Sequence, residues 1–311
     1  MSRALVLLLF LFVAQVWAAP VAERSIQVGE TSGPPPLDPG DSVWTQAPVA
    51  IVRLYPQVTA PGGPGGGVLM LEARVLQSGG RLAVRLAWPD AGEDVADARA
   101  THRFVDAAAV QFAPAGDTLP YVGMGEPDRP VQVWLWRAGR PAERLSAQGF
   151  GSLAKQAGVP PEARAQRTAT GWTVVLRGET NAPAPAAVAF AAWNGAEDGR
   201  AGRKRLSAWQ ALTGPGGALS DALKEEARSV GVPARGARLY TEHGCVACHA
   251  PAVGLGPSLV HAGGIHWPGY LRRAILEPAA FRVPGYATAM PALPLQADEV
   301  EDLVAYLMSL H

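Results

Sequence analysis

The sequence predicts a β-sandwich followed by a small all-α domain. Three observations point there. From about residue 48 to 195, apolar residues alternate in short runs punctuated by Gly and Pro, as in "RLAVRLAW" (81–88), which is the period of half-buried strands. Over the same stretch no amphipathic helix of convincing length appears. Beyond "TGPGG" (213–217) the period becomes helical, ending in "DEVEDLVAYLMSLH", where Val300, Leu303, Val304, Leu307 and Leu310 share one face.

In chain order, "MSRALVLLLFLFVAQVWAAP" carries one charge (Arg3), an apolar run and small residues at its end. It reads as a secretory signal peptide, residues 1–18, with Val16 and Ala18 at the small-residue positions. The run is short for a membrane span, so the expectation is an exported, periplasmic protein with no membrane span, a retained anchor being the alternative. Residues 19–44, containing "ETSGPPPLDPGD", form a loop-like extension. Residues 45–212 make up the sandwich. There "VQVWLWRAG" and "GWTVVLRGE" alternate, and "AAAVQF" and "AAVAFAAW" read as buried strands.

Residues 213–233 are a linker holding one helix, "SDALKEEARS", with Ser220 as N-cap. Residues 234–311 are the helical domain, with Asp298 and Glu301 spaced as a capping box before the last helix. The chain of 311 residues has 27 basic and 27 acidic side chains, which argues against nucleic acid as a partner.

The two cysteines of the chain, Cys245 and Cys248, stand in "GCVACHAP" directly before His249. A redox dithiol wants a βαβ setting, which the flanks do not offer. A zinc site needs further ligands; His261 and His266 exist, but no second CxxC does. Covalent haem attachment needs what is present: two thiols that add to the vinyl groups as thioethers, and an adjacent histidine as proximal iron ligand. A sixth ligand must come from far along the chain. "YATAMPALP" supplies Met290 in a Pro-rich loop. Met308 continues the Val300–Val304 stripe and reads as core. With first helix "ARGARLYTEHG", then CVACH, "GPSL", the methionine loop and "LVAYLMSL", residues 234–311 closely resemble a class I cytochrome c. His/Met ligation saturates the iron and raises its potential, which suits electron transfer.

The earlier domain carries a second resemblance. Strand "AVQF", then "PYVGMGEPDRPVQVWLWRA", "GWTVVLRGE", "VAFAAWNG" and "GRKRLSAW" are similar to the haem b domain of ethylbenzene-dehydrogenase and dimethyl-sulfide-dehydrogenase-type gamma subunits. These belong to the type II dimethyl sulfoxide reductase family of periplasmic molybdenum enzymes, and the likeness covers roughly residues 45–212. The resemblance implies one non-covalent haem b held by Met124 and Lys204, beside the one covalent haem c held by Cys245, Cys248, His249 and Met290. Read without it, Met124 is a loop methionine filling a gap and Lys204 part of a solvated basic run. Lys155 and Lys224 are the other lysines, His102 is the alternative ligand, and Met70 reads as core. The appended cytochrome resembles enlarged nitrite-oxidoreductase-like gamma subunits.

The expected function is therefore a dihaem electron-transfer subunit, not itself an enzyme. Its partners would be the iron–sulfur and molybdenum catalytic subunits of a complex and a soluble periplasmic cytochrome or other carrier. The alternative is a single-haem cytochrome c fused to a carbohydrate-binding-like or docking sandwich, with Trp134 and Trp136 as an exposed sugar platform. A dihaem peroxidase would need an acid/base motif, and none is found.

Overall fold

The computed structural model describes residues 24–59, 66–96, 103–116, 118–180, 186–251 and 253–311. The expected signal peptide and His102 lie outside them. Among the described residues thirteen strands form the first domain: β1 (Ser25–Glu30), β2 (Ala50–Pro56), β3 (Leu69–Ser78), β4 (Arg81–Pro89), β5 (Ala107–Phe112), β6 (Val131–Arg137), β7 (Glu143–Ala147), β8 (Ala154–Lys155), β9 (Glu162–Arg167), β10 (Gly171–Glu179), β11 (Ala187–Trp193), β12 (Arg205–Leu206) and β13 (Gln210–Thr213). The pairing order is β8-β7-β6-β5-β11-β12-β2-β3-β4-β10-β9.

The path folds into two layers because β1 and β2 change partners along their length. Ser25–Gln27 pair with β13 and Val28–Glu30 with β3. Ala50–Leu54 pair with β3, whereas Tyr55 and Pro56 pair with β12. Residues 25–30, within the expected extension, are therefore a strand of the sandwich.

Between the layers lies an apolar core drawn from both, including Leu71, Val84, Leu86, Val174 and Leu176. Trp134 and Trp136 belong to it, 1% and 5% exposed, with Trp136 edge-on to Trp88 and Trp172. Burial of these indoles removes the sugar platform considered above. Met70 departs from expectation in the other direction. It is 44% exposed, because residues 69–71 alternate and Leu71 takes the inward position.

The outer face of the β5–β6–β11 layer is also buried. On β6, Val133 and Leu135 face away from the core that holds Trp134 and Trp136. On β5, Ala107 and Ala109 do the same, opposite Ala108, Val110 and Phe112. This is why "AAAVQF" and "AAVAFAAW" look buried on both faces. Their outward alanines take little volume, and that layer stands off from what covers it.

Among the described residues six α-helices follow: α1 (Asp221–Ala227), α2 (Pro233–Glu242), α3 (Val246–His249), α4 (Ala262–Ile265), α5 (Pro268–Leu276) and α6 (Ala297–Met308). Ser220 caps α1 as expected, its hydroxyl accepting from Leu223 N. The box at α6 falls elsewhere than Asp298 and Glu301. Gln296 and Glu299 exchange the reciprocal bonds, since the helix starts at Ala297 and puts Glu299 at its third position. The α6 stripe of Val300, Leu303, Val304 and Leu307 is buried. No helix of the described residues is long and apolar enough to cross a membrane.

The helical domain docks on the outer face of the sandwich. Trp267 is buried there, and its indole N–H donates to Trp209 O at 2.8 Å. The Trp209 indole in turn donates to Pro120 O at 2.8 Å. Arg273 bonds Leu119 O at 2.8 Å and pairs with the buried Glu226. Arg24 reaches the carbonyls of Gly263 and His266. Hydrogen bonds across this buried contact hold the two domains in one orientation.

Candidate functional site

Within the helical domain a cavity of about 210 Å³ is lined by Cys245, Cys248, His249 and Met290 together. Cys245 precedes the single turn of α3, so both thiols and the imidazole leave one short segment. His249 Nδ1 lies 2.8 Å from Pro257 O. A carbonyl only accepts, so Nδ1 carries the proton and Nε2 keeps its lone pair for a metal. Gly256 makes room for this ring: a Cβ there would stand 3.0 Å from His249 Cε1. Both cysteines are unpaired thiols. Met308 is half-buried among the α6 core side chains and lines a different cavity. Met290 is thus the thioether that shares a cavity with His249.

A second, larger cavity of about 810 Å³ lies against the outer face of the sandwich, within the range of ligand sites. Met124 and Lys204, far apart in sequence, both line it. Val122, Val133, Leu135, Leu206 and the small Ala109 and Ala189 make its walls apolar, and Arg103, Arg140 and Arg200 stand at its rim. A flat apolar group bearing carboxylates fits such a lining. The porphyrin would lie against alanines and branched aliphatics, and its propionates would meet guanidinium groups.

Met124 is held in the left-handed region, φ 79°, which costs a non-glycine residue on the order of 1–2 kcal/mol. The turn is fixed by Gly125 N donating to Tyr121 O (2.9 Å) and Gly149 N donating to Met124 O (2.7 Å). Strain held in this way by surrounding bonds marks a side chain whose direction matters. Lys204 is 7% exposed. Among the described residues its Nζ meets no carboxylate; it lies 5.3 Å from the Trp193 ring and 5.8 Å from the Phe150 ring. Burial pulls its pKa down to about 8. An amine so placed yields its proton to a metal at modest cost. Lys155 is exposed on β8, and Lys224 pairs with Asp221 on α1. Of the three lysines, Lys204 is the one brought to the cavity.

Sequence reasoning missed the residues between the cavities. Tyr121 is 1% exposed and lines the smaller cavity together with Thr59. Its hydroxyl and Thr59 Oγ1 are 2.7 Å apart, and burial lifts the phenol well above its ordinary pKa. His266 stacks on Tyr121 at 5.6 Å and is pulled down to about 3 by burial, so it is neutral. Lone aromatics in loops carry no periodicity. The one local signal was Gly123, where any Cβ would collide with the Tyr121 ring.

A family model described as ethylbenzene dehydrogenase matches residues 41–171, and one described as cytochrome c matches residues 233–311. A protein of Haloferax mediterranei, named as a candidate respiratory nitrate reductase haem subunit, is 35% identical over 196 residues, covering 58% of this chain and 70% of that protein. The chlorate reductase gamma subunit of Ideonella dechloratans is 34% identical over 217 residues, covering 62% and 86%. The dimethylsulfide dehydrogenase gamma subunit of Rhodovulum sulfidophilum is 29% identical over 196 residues, covering 55% and 72%. Lys204 lies beyond the span of the first family model, so its assignment leans on the cavity it shares with Met124.

Proposed function

The chain belongs to the ethylbenzene dehydrogenase family of gamma-type haem subunits and bears a cytochrome c domain behind it, and we propose that it is the periplasmic dihaem wire of a molybdenum oxidoreductase complex. It is an electron-transfer component, with catalysis in partner subunits, and its cofactors are one covalent haem c and one haem b. In this reading it links an iron–sulfur subunit to a soluble carrier, with residues 1–18 as the export signal.

One observation carries the ligand assignment: Met124 and Lys204 line a single cavity of haem-compatible size and lining. Cys245 and Cys248 would hold haem c by thioethers, with His249 and Met290 on its iron. When bound, each haem supplies a one-electron couple tuned by its axial ligands. The residues do the rest. Pro257 fixes the His249 tautomer, apolar walls line much of the larger cavity, and the strained turn at 124 sets the thioether direction.

A pyridine haemochrome spectrum tests the reading. One b-type and one c-type signal per chain, in protein recovered from the periplasmic fraction, is the expected result. A c-type signal alone returns the sandwich to a docking role. Recovery in the cytoplasm with residues 1–18 intact removes the export step.

A further inference from the structure

The two cavities are neighbours with a common wall. One segment of the helical domain serves both: Pro284 and Gly285 line the larger cavity, while Phe281, Val283 and Tyr286 line the smaller one. From the sandwich side, Phe150 lines the larger cavity and Tyr121 the smaller, with ring centroids 5.9 Å apart. Tyr121 also meets Phe281 at 5.4 Å and Tyr270 at 5.5 Å. Phe150 is the ring beneath Lys204 Nζ.

A second connection runs through hydrogen bonds. The Tyr121 hydroxyl bonds Thr59, whose Oγ1 donates to Gln57 Oε1 at 3.0 Å. Gln57 N donates to Lys204 O at 2.9 Å. A fully buried tyrosine is thus in contact with one cavity and tied twice to the residue proposed as metal ligand in the other.

We infer that this wall, with Tyr121 at its centre, is the bridge that couples the two haem sites electronically, so that the haem b site exchanges electrons with haem c across it. The inference rests on the dihaem reading and adds a route to it. With both haems bound, the step would pass one electron between them: the group that gives it up would be oxidised and the group across the wall reduced. No bond breaks and no proton moves, because the buried phenol keeps its proton throughout. Close-packed rings and hydrogen bonds carry electronic coupling across a wall that an empty gap would interrupt. Docking through Trp267, Arg273 and Arg24 holds that wall in register.

The test uses the purified dihaem chain, with haem c photoreduced by a flash and equilibration with haem b followed at their separate absorption bands. Tyr121→Leu leaves a void where the ring stood, and we expect the rate to fall about tenfold with both midpoint potentials unchanged. Tyr121→Phe keeps the ring and stays within about threefold of the wild type. Phe150→Leu, at a half-buried position, slows the rate as well and carries the test should the leucine variant at 121 fail to fold.

Hydrogen exchange of residues 262–286 is measured in the same variants. A slower rate with protection intact supports the bridge. An unchanged rate in Tyr121→Leu and Phe150→Leu overturns it. A slower rate accompanied by lost protection also overturns it, since Tyr121 would then be acting through domain docking. A chain from which acidified acetone extracts no haem fails differently: it overturns the dihaem reading itself.

Discussion

The Nδ1 of His249 sits 2.8 Å from the carbonyl oxygen of Pro257, and Gly256 lies between them in sequence with no room for a side chain against the imidazole. One loop residue orients the ring, and its neighbour leaves space for it. Gly256→Ala brings a methyl to 3.0 Å from Cε1, so the ring must tilt away from Pro257. We expect the variant to retain its covalent haem while binding exogenous imidazole or cyanide more readily than the wild type, as read by optical titration. Equal affinities in the two proteins would show that the loop yields instead of the ring.

Met290 and Met308 provide a direct contrast. Met290→Ala is expected to abolish the weak sulfur-to-iron absorption band of the oxidised protein and to lower the midpoint potential, because a thioether favours ferrous iron. Met308→Ala keeps the band. It truncates a half-buried side chain and costs about 2 kcal/mol, the low end for such a change. Loss of the band at 308 and its survival at 290 would reverse the assignment.

For the larger cavity, Lys204→Ala and Met124→Ala are each expected to lower the haem that acidified acetone extracts, leaving the covalent haem untouched. Lys155→Ala, on exposed β8, should change neither. Quantitative extraction against protein mass checks all three. Full haem b content in Lys204→Ala would point to a different ligand.

Retention of that haem should depend on pH in a direction set by the amine. Lys204 titrates near 8 in place of the usual 10.5. Below about 8 protons compete with iron for its lone pair, and affinity falls by up to about tenfold per pH unit, the limit for one competing proton. The chain without haem b shows the matching linkage. Its folded state binds fewer protons than the unfolded chain between about 8 and 10.5, so its stability rises with pH through that window. Lys204→Met removes the rise. A wild-type chain with no pH dependence in either measurement would place the amine in water.

Asp302 is buried on α6 and accepts from Val232 N at 2.6 Å while pairing with Arg235 at 2.8 Å. Asp302→Ala leaves that N–H without its partner, a cost of about 1–3 kcal/mol. Chemical denaturation of the holoprotein should register this loss without a shift in either haem potential. A potential shift would mean that α6 positions the cofactor as well as the fold.

The sequence alone determined what local pattern can determine. CVACH is legible as the proposed attachment site because its chemistry needs residues within one helical turn. Period-2 and period-3.6 runs separated the two domains, and Ser220 marked a helix start. Tertiary structure decided whatever depends on distant segments meeting. Gln296, rather than the expected pair, caps α6 because the start of that helix depends on how its buried stripe packs. Met70 faces out and Trp134 faces in because a strand's register, not its composition, chooses which alternating residue meets the core. Met124 and Lys204 look like a gap-filling methionine and a solvated lysine until the turn at 121–125 and the strand end at 205 bring them to one cavity. Tyr121 gave no periodic signal, only the neighbouring Gly123 that leaves room for its ring. Its role as a wall between two cavities exists only once the helical domain has docked, since a contact surface has no period and belongs to neither segment alone.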